Sequence, residues 1–153
     1  MATWKQIEQD APEFAAKVRA RFEVGTNKTM ATLRADGSPR ISATELQFTD
    51  GSVTLGMMAG SVKLADARRD PRVAVHSPTL EPPKDDPSSW PGDAKLAGRF
   101  VEIDSPAAND VEGAAFFAID ITEVVLTYVG VPADHLVIES WHDGAGYRKR
   151  RRA

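Results

Sequence analysis

Phe14, Val18 and Phe22 repeat every four residues, the spacing of one helix face. Pro12 falls in the tolerated first turn, and Asp10 with Glu13 has the spacing of a capping box. Gly25 stands where the helix is expected to stop, and Trp4 and Ile7 form a shorter helical turn ahead of it. Residues 1–24 therefore read as a helical cover on something larger. From Lys28 the period changes to two. Lys28–Arg34 and Arg40–Phe48 flank Asp36-Gly37-Ser38-Pro39, and Asp50-Gly51 separates Phe48 from a strand over 52–58. Asp-Gly between alternating apolar runs is a strong hairpin signal, so two in succession predict a three-stranded antiparallel meander. On its second strand Arg40, Ser42 and Thr44 share one side, which suits either a partly covered ligand groove or a solvated strand end.

Next comes a strand that leaves through Gly56 and Gly60 into a short helix, capped by Ser61 and stopped by Pro71. Lys63 sits in the first turn of that helix, where a cation opposes the helix dipole. An anion bound at the same spot would resolve the conflict, with helix N–H groups and the ammonium converging on it. A capped helix with a solvated lysine is the other reading. Downstream, strands are expected over 72–76, 94–103, 116–121, 123–129 and 135–141, with a last short segment around Tyr147. Gly98 marks a bulge or a close backbone approach. Five prolines make 78–92 a long surface loop, with Trp90 read as its anchor to the body. A polar turn or short helix is expected over 104–113. About seven or eight mostly antiparallel strands favour a closed barrel, because closure removes exposed edges.

At 153 residues the chain reads as a single domain, residues 1–153, without cysteine and therefore without disulfides or thiolate chemistry. No apolar run approaches the ~20 residues of a membrane helix, and no signal-peptide pattern opens the chain, so no membrane partner and a cytoplasmic location are expected. The net charge is −3, but residues 148–152 (Arg148, Lys149, Arg150, Arg151, Arg152) contribute five positive charges, leaving about −8 on the body. An acidic body argues against nucleic acid as a partner. The basic tail, 148–153, reads as a solvated end.

Catalytic side-chain chemistry is sparse. His76, His135 and His142 are scattered without metal-ligand spacing, and no nucleophile motif appears. Asp85 and Asp86 lie in the proline-rich loop. If the chain is an enzyme, a bound cofactor carries the chemistry and the protein orients it.

The run Thr29 to Ser42 with its Asp-Gly-Ser-Pro hairpin, then Asp50-Gly51, then Lys63 through Arg68-Arg69-Asp70-Pro71-Arg72-Val73, resembles the pyridoxamine 5′-phosphate oxidase-like family, the FMN-binding split barrels. That superfamily also contains deazaflavin (coenzyme F-420) dependent reductases. The resemblance covers roughly residues 25 to 130, with 92–103 matching the next long strand. It implies a mainly β, antiparallel split β-barrel with flanking helices, a homodimer with cofactor at the interface. It implies FMN, or alternatively coenzyme F-420, and an oxidoreductase acting on a small-molecule substrate; a non-catalytic flavin- or haem-binding protein is the alternative. Position by position, Arg40, Ile41 and Ser42 match the ring-side strand. Met57, Met58, Ser61 and Lys63 match the phosphate-side turn, and Trp141 matches the segment that closes a partner's site. The Arg-x-His motif of true pyridoxamine phosphate oxidases is missing, so that substrate is not assigned.

Overall fold

The computed structural model describes residues 2–106 and 111–153. Helix α1 (Trp4–Asp10) starts at Thr3, whose hydroxyl accepts from the Gln6 N–H while the Gln6 side chain accepts from the Thr3 N–H. Helix α2 (Pro12–Phe22) begins on its proline with no side-chain cap. The capping box expected at Asp10 and Glu13 is thus absent. Asp10 ends α1, and its carboxylate accepts from Trp141 Nε1 at 3.0 Å. Nor does Gly25 stop α2, which ends on Glu23. Beyond it the buried Lys28 ammonium donates to the carbonyls of Gly25 and Thr26 at 2.7 and 2.9 Å, satisfying acceptors that the turn leaves open.

Among the described residues nine strands follow: β1 (Asn27–Leu33), β2 (Pro39–Glu45), β3 (Gln47–Thr49), β4 (Ser52–Met57), β5 (Arg72–His76), β6 (Asp93–Ile103), β7 (Ala115–Val129), β8 (Leu136–His142) and β9 (Gly146–Arg152). Helix α3 (Val62–Arg69) separates β4 from β5. All pairings are antiparallel, in the order β2-β1-β5-β6-β7-β4-β3, with β8 and β9 added beside the second half of β7. The two ends of that order, β2 and β3, are joined by the chain through the single buried residue Leu46 and not by a hydrogen-bonded pair, so the ring is completed covalently and stays split beside β2. The strand expected over Arg40–Phe48 is therefore bent at Leu46, and each half pairs with a different neighbour. Both expected Asp-Gly turns are present. Asp50 and Gly51 have φ of 53° and 74°, the all-positive pattern that matches the twist of a two-residue hairpin.

The two runs expected over 116–121 and 123–129 are one strand, β7, interrupted at Thr122. Gly98 of β6 pairs with Ile121 and Ala97 with Glu123, so Thr122 is the extra residue. A Cβ on Gly98 would lie 2.1 Å from the Asp120 carbonyl oxygen, so the bulge depends on that close approach. Inside the ring Met30, Val53, Leu55, Val75, Leu96, Phe117, Ile121 and Leu126 form the core. Trp4, Phe14, Val18 and Phe22 of the two N-terminal helices close over it, Trp4 edge-on to Phe48 at 4.9 Å. The loop over 78–92 holds one 3-10 turn, Pro87–Ser89, and Trp90 Nε1 donates to the Leu80 carbonyl at 2.8 Å. Residues 107–110 of the expected polar turn lie outside the described residues. Arg148 to Arg152 do not form a free tail: they make up most of β9.

Candidate functional site

Past Leu46 the barrel wall opens. β2 pairs only with β1, while β4 pairs with β3 at one end and β7 at the other, so the second edge of β2 faces a gap. Helix α3 is built into this gap. Gly60 turns the chain at φ 71°, and Ser61 Oγ accepts from the Leu64 N–H at 3.3 Å as the helix cap. Leu64, Asp66 and Ala67 point inward and are buried.

Three contacts from α3 reach back to the meander. Lys63 Nζ donates to the Ala43 carbonyl at 3.0 Å, Arg69 Nη2 donates to the Leu33 carbonyl at 2.9 Å, and Asp66 pairs with Arg40. Asp66 also receives Arg69 at 2.7 Å. The hydrogen bond from Arg40, then that from Arg69, hold the Asp66 carboxyl below the usual carboxylate range despite its desolvation.

The groove left between β2 and β4 measures about 440 Å³ and is lined by Ala43, Thr44, Glu45, Thr54, Gly56, Met58, Lys63, Ile103 and Phe116 among others. Its size suits a small-molecule ligand. Because the Ala43 carbonyl points into the gap, strand alternation turns the main-chain N–H and C=O groups of Ile41 and Glu45 the same way. The edge thus offers a ladder of donors and acceptors with no partner strand. Gly56 keeps the floor open, since a Cβ there would come within 2.9 Å of the Phe116 ring.

Of the sequence-selected residues, Met58 and Lys63 line this groove, and Ser61 caps α3 two positions before Lys63 without being part of the lining. Ile41 is 73% exposed on the outer face of the sheet, where it lines a second hollow with Ala31, Ala74 and His76. Arg40 and Ser42 point the other way, Arg40 into its ion pair and Ser42 into a buried spot where its hydroxyl, like that of Thr32, has no hydrogen-bond partner. Met57 is a core residue. Trp141 lies in the core against α1, its indole N–H occupied by Asp10. Sequence reasoning missed Ala43, Glu45, Gly56 and Phe116. Continuing the β2 alternation two residues would have found the first pair; Phe116 is distant in the chain and left no signal.

Other groups lie elsewhere. His76 approaches Asp93 at 3.7 Å and His135 approaches Asp134 at 2.6 Å. Among the described residues no group of three or more His, Asp or Glu is placed to hold a metal ion. Nor, among the described residues, is any helix long and apolar enough to cross a membrane. Trp90 lines a separate hollow with Lys17, Arg21 and Tyr128 that shares no residue with the groove.

No family model matches the chain, and no curated protein does. Solved structures do. A pyridoxamine 5′-phosphate oxidase-related, FMN-binding protein from Nostoc punctiforme superposes with a TM-score of 0.64 at 9% identity, over 100% of this chain and 98% of that one. A haem-binding protein from Mycobacterium smegmatis gives 0.54 at 13% identity, over 90% and 88%. An F-420 reductase gives 0.53 at 15% identity, over 69% of this chain and 94% of that one. The fold is the split barrel of the pyridoxamine 5′-phosphate oxidase-like proteins. Three neighbours named for three different groups leave the choice of ligand to the residues of the groove.

Proposed function

We propose that the chain is an oxidoreductase that holds a flavin-type cofactor, FMN or its deazaflavin analogue coenzyme F-420, in the β2–β4 groove. The observation that carries this reading is the convergence of an unpaired strand edge with the Lys63 end of α3 in one groove. A flavin ring carries alternating donors and acceptors along its pyrimidine side, which the free edge of Ile41 to Glu45 can match. An anionic tail then meets Lys63, Ser61 and the first N–H groups of α3. When bound, such a cofactor supplies hydride transfer to or from a small organic acceptor. The residues of this chain would do the rest: β2 orients the ring, Met58 and Phe116 shield it from water, and Lys63 fixes the tail.

Lys63 is the one cationic side chain among the described residues lining the groove; Arg40 and Arg69 lie outside the lining, each paired with Asp66. A single cation grips a phosphate monoester weakly, which supports the deazaflavin as the second reading. The homodimer belongs to the same proposal. The outer face of β2, β1, β5 and β6 carries exposed Ile41 beside a hollow of about 340 Å³, an apolar surface that a second copy would cover.

Absorption spectroscopy of the purified protein, followed by calorimetric titration with FMN and with F-420, tests the reading. Saturable binding of one of them at micromolar concentration is expected, with the bound cofactor reducible and then reoxidised by an artificial acceptor. Absence of binding by both would overturn it.

A further inference from the structure

The basic residues at the end of the chain have a role to find. They form an ordered edge strand, β9, paired with β8 on one side and with nothing on the other. Arg148, Arg150 and Arg152 stand on one face and Lys149 and Arg151 on the opposite face, all exposed. Of these five cations only Arg151 has an ion pair within the described residues, to Asp134 at 3.5 Å. Five adjacent like charges on one strand repel, and a single lysine is enough to block edge-to-edge pairing. This density is excess for that purpose.

A second observation lies beside it. The turn joining β7 to β8 places Val131, 84% exposed, next to Pro132 at the end of the sheet where Arg151 reaches Asp134 and Arg152 pairs with Leu136. An exposed apolar tip flanked by a dense row of cations has the composition of a surface that docks on anionic lipid headgroups. Approached along the free edge of β9, side chains from both faces can bend into one plane, their aliphatic stems adapting to it. Single-stranded nucleic acid fits less well. Stacking platforms are missing from the strand, because the Tyr147 ring packs on Phe14 and its hydroxyl is bound to Glu139.

We infer that β9 and the Val131 turn form a docking surface for an anionic phospholipid membrane, holding the protein peripherally at its surface. The acidic remainder of the chain limits the attraction little, since charges beyond a Debye length of about 8 Å are screened at physiological salt. The surface is also set apart from the outer face assigned to the dimer: β9 is three strand positions from β6, the nearest strand of that face, or roughly 14 Å.

Co-sedimentation with vesicles tests this directly, using phosphatidylcholine alone and phosphatidylcholine mixed with phosphatidylglycerol. Binding is expected to the mixed vesicles only, and to weaken steeply with added salt. Replacing three cations together (Arg148→Ser, Arg150→Ser and Arg152→Ser) should lower the partition coefficient roughly a hundredfold. The corresponding triple lysine replacement keeps the charge and should bind as the parent does, which separates lost charge from a damaged strand. Val131→Ser should lose several-fold at unchanged net charge. No binding to the mixed vesicles, equal binding to neutral ones, or a serine triple variant that binds as well as the parent would each overturn the inference. So would displacement from the vesicles by an equimolar single-stranded oligonucleotide.

Discussion

Arg40 of β2 and Asp66 of α3 are joined by an ion pair between Nε and Oδ2, with the carboxylate almost fully buried. The contact fastens the helix that follows the fourth strand onto the second strand, and it consumes the arginine that the resemblance matched to the ring-side strand. Asp66→Asn should lower Tm clearly, because it leaves Arg40 and Arg69 facing each other without their shared anion. The sign with pH follows from the lowered carboxyl. Its contribution is present above the unfolded value of about 3.9 and is lost as pH falls through the lower folded value. Denaturation followed from pH 5 to pH 2, rough bounds for that window, should show a smaller loss of stability in Asp66→Asn than in the parent.

Lys63→Ala tests the groove. The ammonium opposes the dipole of α3 but donates to the Ala43 carbonyl, two effects of similar size, so the Tm of the ligand-free protein should change little. Cofactor affinity should fall at least about tenfold, the equivalent of one charge-assisted contact. The deficit should narrow at high salt, where the contact is already screened. Equal affinities in titration calorimetry would place the anion elsewhere.

Ile41→Asp probes assembly. An aspartate on the exposed outer face would set a desolvated charge against the second copy in the proposed two-fold dimer. Light scattering should return twice the chain mass for the parent and a shift to the monomer mass for the variant. A parent that is monomeric while binding cofactor tightly would refute the dimer.

Glu139 accepts from Tyr128 and Tyr147, each at 2.6 Å, and from Lys17 at 3.0 Å. Burial pushes its carboxyl up, but the three donors together hold it below the usual range. Burial first, then the bond to Glu139, push the Tyr147 hydroxyl up to about 12 and raise Tyr128 as well. These are the only tyrosines in the chain, so an ultraviolet titration reads them directly. Both should ionise above the ordinary value near 10. Because their folded values are raised, the stability they contribute is full below about pH 10 and is lost as pH rises through the folded values. Glu139→Gln should lower both titrations and cost about 1–3 kcal/mol at neutral pH.

Gly98→Ala should be among the most damaging single changes, at about 3 kcal/mol or more, because its Cβ meets backbone that cannot swing aside. Gly37→Ala is the control. Nothing lies within 4 Å of a Cβ there, so only the strain of its positive φ remains.

Local pattern and turn chemistry determined much of this protein. The Phe14-Val18-Phe22 face, the two Asp-Gly turns, the Ser61 cap and the helix stop before Pro71 each depend on residues a few positions apart, and each is present as read. The resemblance carried by the 29–42 run and the Lys63–Val73 segment likewise pointed to the split barrel. Tertiary structure decided the rest. Whether Asp10 caps a helix or receives Trp141 depends on a strand 131 residues away. The bend at Leu46 exists because the two halves of one apolar-alternating run find different partners, and alternation carries no information about which neighbour a strand will meet. Arg40 looked available because its partner, Asp66, is reached only through the path of α3. The groove itself is a gap between strands, and Phe116 enters it only because β7 pairs with β4. Sequence periodicity sets which face a side chain takes; only the assembled split barrel sets what stands opposite it.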